Sequence, residues 1–151
     1  MNSIIRILIA LALSFAIRSG AATIANLASN GVALQPIVIA TNATATVLTA
    51  ATNLASQLNR ITGATFPVQT GNGTIGLAIG RAEDFPALVT GVTFNPADVT
   101  KREDYLLRSH ANGVWLLGAT DAAVRHAVWD FLHRLGYRPF FPGPTWEIVP
   151  K

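Results

Sequence analysis

Cysteine is missing from the sequence altogether. That excludes disulfides and thiolate metal sites, so a fold must stand on packing alone. Charge is nearly as scarce. Asp, Glu, Lys and Arg make up 13 % of the chain, about half the usual share. Lysine occurs only as Lys101 and Lys151, and no basic run is longer than Lys101-Arg102, which Glu103-Asp104 follow directly. Nucleic-acid binding requires a basic face that neutralises phosphates, and this pattern excludes one. A soluble domain so poor in charge is expected to hide part of its surface against another body.

Several catalytic signatures are missing too. There is no H-E-x-x-H pair for zinc and no G-x-S-x-G elbow for a serine nucleophile. The glycine-rich "GNGTIG" (residues 71–76) lacks the lysine of a phosphate loop, and its spacing fits a hairpin turn better. No cofactor and no metal are expected.

What is present begins with an export signal over residues 1–22. Arg6 supplies the early positive charge, Ile7 to Ile17 form an apolar run, and "SGAAT" offers a cleavage site after Ala21 or Ala22. The run is shorter than the roughly 20 residues a spanning helix needs. The signal implies a periplasmic or extracellular protein, with an uncleaved membrane anchor as the alternative. Without Arg6 and Arg18, nine basic and eight acidic side chains remain, so the high pI does not mark a basic protein. The remaining residues, 23–151, suffice for one core.

The apolar periodicity gives an order of elements. "GVALQPIVIA" reads as a buried strand around Ile37 to Ile39. A helix is expected from Thr46 to Thr62, with Val47, Ala50, Ala51, Leu54, Leu58 and Ile61 on one stripe and Gly63 as a left-handed stop. Its other face carries Thr49, Thr52, Asn53, Ser56 and Gln57, with Arg60 as the single charge, whereas a water-facing helix normally carries Glu and Lys there. "FPVQT" reads as a short strand with "GNG" as its turn, and Thr74 to Gly80 as a further buried strand. A long loop precedes "DYLLRSHANGVWLLGA", two strands joined through Asn112-Gly113, the preferred hairpin pair. In that register Ser109 opposes Leu116. Tyr105, Leu107, Val114 and Leu116 share the core face, while Leu106, Arg108, His110, Trp115 and Leu117 share a mixed face open to solvent. A second helix is expected from Asp121 to Leu135, with Asp121 capping it or meeting its positive end. Its core stripe is Val124, Ala127, Val128, Phe131, Leu132 and Leu135. Phe140-Phe141 and Glu147 to Val149 are candidate short strands. This order implies an α+β domain, with one mixed or antiparallel sheet and two helices packed on one face.

The runs "LASQLNRITGATFPV" (54–68), "IGLAIG" (75–80), "VWLLGATDAAVRHAVWDFLHRLGYRPFFPG" (114–143) and "WEIVP" (146–150) together resemble a known family. They are similar to the N-terminal, non-catalytic domain of alpha-glucuronidases of glycoside hydrolase family 67. They also resemble the domain preceding the barrel in beta-N-acetylhexosaminidases of family 20 and in related uncharacterised bacterial hydrolases. Pro139 and Asp121 depart from the family pattern. The resemblance implies a hexosaminidase domain-2-like fold, with zincin-like topology but no zinc. It further implies that glycosidic chemistry belongs to a downstream (β/α)8 barrel absent from this sequence, and that the chain is a piece of a longer enzyme acting on uronic-acid or amino-sugar polysaccharide. On that reading Thr52, Gln57, His126, Trp129 and His133 face the barrel, and Arg138, Phe141 and Trp146 pack the exit loop.

The acids Glu83, Asp84, Asp98, Glu103, Asp104, Asp121, Asp130 and Glu147 do not form a motif for paired-carboxylate chemistry, and are read as surface, cap or pairing residues. His126, Asp130 and Arg134 at helical spacing are read as an ion-paired face, because two ligands on one helix do not complete a zinc site. Asn42-Ala43-Thr44 and Asn72-Gly73-Thr74 are glycosylation sequons. Trp115, Trp129, Tyr137, Phe140, Phe141 and Trp146 are the aromatics available to a sugar ring, though core and interface positions are the plainer reading. The alternative function is a free-standing exported carbohydrate-binding or surface-interaction module using the aromatic tail.

Overall fold

The computed structural model describes residues 25–141 and 143–150, so the expected export signal lies outside the described residues. Nine short strands and two helices are present there: β1 (Ala28–Ser29), β2 (Val32–Ala33), β3 (Ile37–Ile39), α1 (Ala45–Thr62), β4 (Val68–Thr70), β5 (Gly76–Arg81), β6 (Tyr105–His110), β7 (Gly113–Gly118), α2 (Asp121–Arg134), β8 (Arg138–Pro139) and β9 (Glu147–Ile148). The main sheet has the order β4-β3-β5-β7-β6. Its first four strands run parallel, and β6 closes the edge antiparallel to β7. The chain is therefore an α+β domain with one mixed sheet.

Strand alternation divides the sheet into two faces. Ile37, Ile39, Leu77, Ile79, Val114 and Leu116 point to one side, where the buried stripes of α1 (Val47, Ala50, Ala51, Leu54, Leu58) and α2 (Val124, Ala127, Val128, Phe131, Leu132) cover them. Both helices thus lie on one face. Leu135 was expected to extend the stripe of α2, but it is exposed, because the helix ends at Arg134 and the chain turns away through Gly136.

The helix ends are set by local hydrogen bonding. The Thr44 hydroxyl caps α1 by accepting from the Val47 N–H, and Gly63 stops it in the left-handed region with its own N–H bonded to the Asn59 carbonyl. For α2 the cap is Thr120, which accepts from the Ala123 N–H; Asp121 occupies the first turn, where its charge meets the helix's positive end. Asp121 also accepts a 2.8 Å bond from the Thr44 hydroxyl, tying the two helix starts together.

The second face of the sheet differs from expectation. It is partly covered: Leu117 is buried and Leu106, His110 and Trp115 are half-buried, while Arg108 at the β6 edge stays exposed. The segment 82–104 folds over it, and Phe85 and Leu88 bury against Ala40, Ala78 and Leu117, with Leu106 and Trp115 at the margin. Asp84 anchors the start of this segment. Its carboxylate accepts from the Arg81 guanidinium at 3.0 and 3.1 Å, from the Arg81 N–H at 3.3 Å and from the Asn42 amide at 3.0 Å. The far end is held where the Thr120 hydroxyl donates to the Arg102 carbonyl and the Ala119 N–H donates to the Asp104 carbonyl.

Two turn assignments are also corrected. "GNG" is not a hairpin turn, because β4 and β5 both run parallel to β3 and flank it. The segment 71–75 crosses the outer face of β3 instead. Gly71 passes against Val38, Gly73 passes against Leu88 and Ala78, and the Gly73 carbonyl accepts from the Trp115 indole N–H at 3.1 Å. In the β6–β7 hairpin the loop is Ala111-Asn112, with His110 opposite Gly113, Ser109 opposite Val114 and Leu107 opposite Leu116. A Cβ on Gly113 would lie 1.9 Å from the Gly76 carbonyl oxygen, so this glycine belongs to the strand, where the parallel neighbour β5 approaches closely. The slip is one residue on each strand, so the face assignment survives. The same dipeptide does form a turn elsewhere. Asn30 and Gly31 take φ of 50° and 74° between β1 and β2, the double positive-φ geometry that favours Asn-Gly. The tail strands are shifted as well: Arg138–Pro139 pairs with Glu147–Ile148, leaving Phe140 and Phe141 in the connection.

Candidate functional site

The surface available to a partner is the outer side of the helix pair. On α1 this side carries Leu48, Thr49, Thr52, Asn53 and Ser56, all exposed. Its threonines are less polar than their names suggest. The Thr49 hydroxyl donates to the Ala45 carbonyl at 2.8 Å and the Thr52 hydroxyl to the Leu48 carbonyl at 2.5 Å. Each hydroxyl is thus turned back onto its own helix, and the Cγ2 methyl is left for the surroundings. Because Arg60 is the single charge on α1, this face resembles an interface more than a solvated helix back.

Between the helices runs a groove of about 310 Å³, lined by Ala45, Thr46, Thr49, Ala50, Asn53, Arg125, Val128 and Trp129. The small side chains of Ala45 and Ala50 create it. Among the described residues Arg125 has no carboxylate within ion-pair distance.

Trp129 separates this groove from a second one of about 460 Å³, bounded by Gln57, Trp129, Tyr137, Pro139, Phe140, Phe141 and Glu147. The indole is 42 % exposed and stacks on the buried Tyr137 ring, with centroids 6.1 Å apart and planes 24° from parallel. Beneath the aromatics Arg60 lies 2.5 Å from Glu147 Oε2, a charge contact that also places its guanidinium 2.9 Å from the Gln57 side-chain oxygen. Donation of a hydrogen bond to Glu147 is the main cause holding Arg60 above its ordinary pKa. Burial, and then Glu147, push Tyr137 upward, so the phenol stays neutral. Across the groove Phe140 and Phe141 are about two-thirds exposed, and Trp146 meets Phe141 edge-on at 5.8 Å.

The residues expected at an inter-domain face divide among these features. Thr52 is exposed on the outer side of α1, and Gln57 and Trp129 share the second groove. His126 is exposed and lies 3.6 Å from Glu103, joining α2 to the long loop, while Asp130 is taken by Arg134 and by the Tyr105 hydroxyl. His133 is exposed, and its carbonyl, like that of Tyr137, accepts from the Arg138 guanidinium; Arg138 therefore closes the C-terminal end of α2. Phe141 and Trp146 pack on each other in the exit loop. Trp115 belongs to neither groove and packs inside the outer sheet layer with His110, their ring centroids 4.9 Å apart.

Glu147 is the residue the sequence reading undervalued. Its pairing with Arg60 is one of the roles expected of the acids, but it also lines the second groove. The available signal was its position between Trp146 and Ile148 in a strand that returns onto α1. Among the described residues no three His, Asp or Glu side chains gather as a metal site, and no helix is long and apolar enough to cross a membrane. No protein-family model matches the sequence, and no curated protein is significantly similar to it.

Proposed function

We propose that this chain is a non-catalytic accessory domain of an exported glycoside hydrolase, laying the outer side of its two helices against a downstream barrel. The observation that carries this reading is the character of α1. Along 18 residues it bears one charge, and its outward threonines spend their hydroxyls on the helix itself. Such a surface gains little from water and loses little on being covered. The groove at Ala45, Ala50 and Val128 accepts an apolar side chain from the partner, and Arg125 at its rim accepts a carboxylate. The resemblance of residues 54–68, 75–80, 114–143 and 146–150 to the non-catalytic domains of alpha-glucuronidases and hexosaminidases is what suggests a barrel as the partner. Export through the N-terminal signal belongs to the same reading.

The test uses the purified chain. A bare helix face binds an environment-sensitive apolar dye and drives concentration-dependent self-association, and the pair Thr49→Glu and Asn53→Lys reduces both. A monodisperse chain that binds no dye overturns the proposal. Reading the gene beyond codon 151 gives an independent check, for which a continuing barrel-length frame is the expected result.

A further inference from the structure

We propose that the groove between the C-terminal half of α1, Trp129 and the aromatic tail is a binding site for a neutral glycan chain. The argument rests on the chain's own residues and does not require a barrel. A pyranose has an apolar face of C–H groups and a rim of hydroxyls, so its site needs an aromatic plane beside polar groups that both donate and accept. This groove offers both. Trp129 presents an exposed indole whose other side is fixed by Tyr137, and Tyr137 is itself buried. The platform is therefore rigid before any ligand arrives, which lowers the ordering cost of binding. Phe140 and Phe141 form the opposite wall, with Phe141 braced by Trp146.

The polar floor determines the ligand class. Glu147 and Gln57 line the groove, and Arg60 lies behind them in contact with both, so the local charges cancel while the carboxylate still accepts and the Gln57 amide N–H groups donate. An uncompensated arginine would favour a uronate, and an uncompensated carboxylate would favour an amine. A compensated pair beside an amide favours hydroxyls. The volume, about 460 Å³, lies in the range of small-ligand sites. The groove is open along its length, which suits the interior of a chain rather than a single free sugar.

The experiment is titration of the ¹⁵N-labelled chain with cellohexaose, xylohexaose and N-acetylchitohexaose, with a glucuronate-containing oligosaccharide as the charged arm. At least one neutral oligosaccharide is expected to shift the Trp129 indole and Gln57 amide signals with millimolar or tighter affinity. Trp129→Ala is expected to weaken that binding at least tenfold, and Gln57→Ala and Phe140→Ser severalfold each. Phe140 is exposed and Gln57 half-buried outside the core, so these two changes keep the test valid if loss of the indole disturbs folding. Three results overturn the proposal: no neutral oligosaccharide moves these signals, only the charged one does, or Trp129→Ala abolishes self-association without changing oligosaccharide binding, which makes the groove a protein contact. Trp129 borders both grooves, so the two proposals are separated by Thr49 and Asn53, which line only the first, and by Gln57 and Phe140, which line only the second.

Discussion

His110 illustrates how one residue's setting gives a measurable property. Its ring lies against Trp115 on the outer face of the sheet, and burial is the main cause holding its pKa below the ordinary 6.5, with a Gly76 backbone interaction opposing. The unfolded chain therefore takes up the proton more readily than the folded one. The stability contributed by the neutral ring is complete above the unfolded pKa and is lost as the pH falls toward the folded value. Urea midpoints measured at pH 8 and pH 5 are expected to drop on acidification, and His110→Gln is expected to flatten that drop. Sequence alone placed His110 on the correct face beside Trp115. It did not show that this face is covered, so no pKa shift was legible from it.

Among the elements, the helices were legible almost to the residue. Their 3.6-residue apolar stripes, a hydroxyl before α1 and a glycine after it are local signals, and local signals survive folding. Strand pairing was less legible because it is decided by neighbours distant in sequence. The Asn112-Gly113 pair promised a turn, but the close approach of β5 claimed Gly113 for the strand and moved the loop to Ala111-Asn112. Gly113→Ala is accordingly expected to cost at least about 3 kcal/mol, the upper end for overpacking, because the new methyl meets backbone. Asn112→Ala is expected to stay within about 0.5 kcal/mol, as at other exposed positions, because among the described residues Asn30 is the one non-glycine residue at positive φ. Chemical denaturation of the two variants checks the pair. A costly Asn112→Ala would return the turn to the expected register.

For the whole molecule, the arrangement is three layers: helices, sheet, and the folded segment 82–104. The third layer reads in the sequence as a loop without a period, since Phe85, Leu88 and Val89 sit in a two-proline stretch with neither helical nor strand spacing. They become core through the Asp84–Arg81–Asn42 network, which turns the chain back across the sheet. Phe85→Ala is expected to destabilise the domain by about 3–5 kcal/mol, as for other buried phenylalanines, measured as a shifted denaturant midpoint. An effect below 1 kcal/mol would mean the segment is not a structural layer. The scarcity of charge noted at the outset takes a spatial form in this architecture. It is concentrated on the outer side of α1, which bears Arg60 alone, whereas Arg125 and Glu147 border the grooves on either side of Trp129.

What the sequence by itself determined is whatever follows from neighbours along the chain. That includes the two amphipathic helices and their ends, the alternation that sorts Leu107, Val114 and Leu116 from Trp115 and Leu117, and the α+β class these imply. Only the tertiary structure decided the parallel order of β4, β3, β5 and β7, the covering of the outer face, and the meeting of Gln57, Trp129, Phe140 and Glu147 at one groove. The physical reason is separation. Those residues come from three segments between 57 and 147, and no periodicity in a single segment records which surfaces will face each other once the chain has closed.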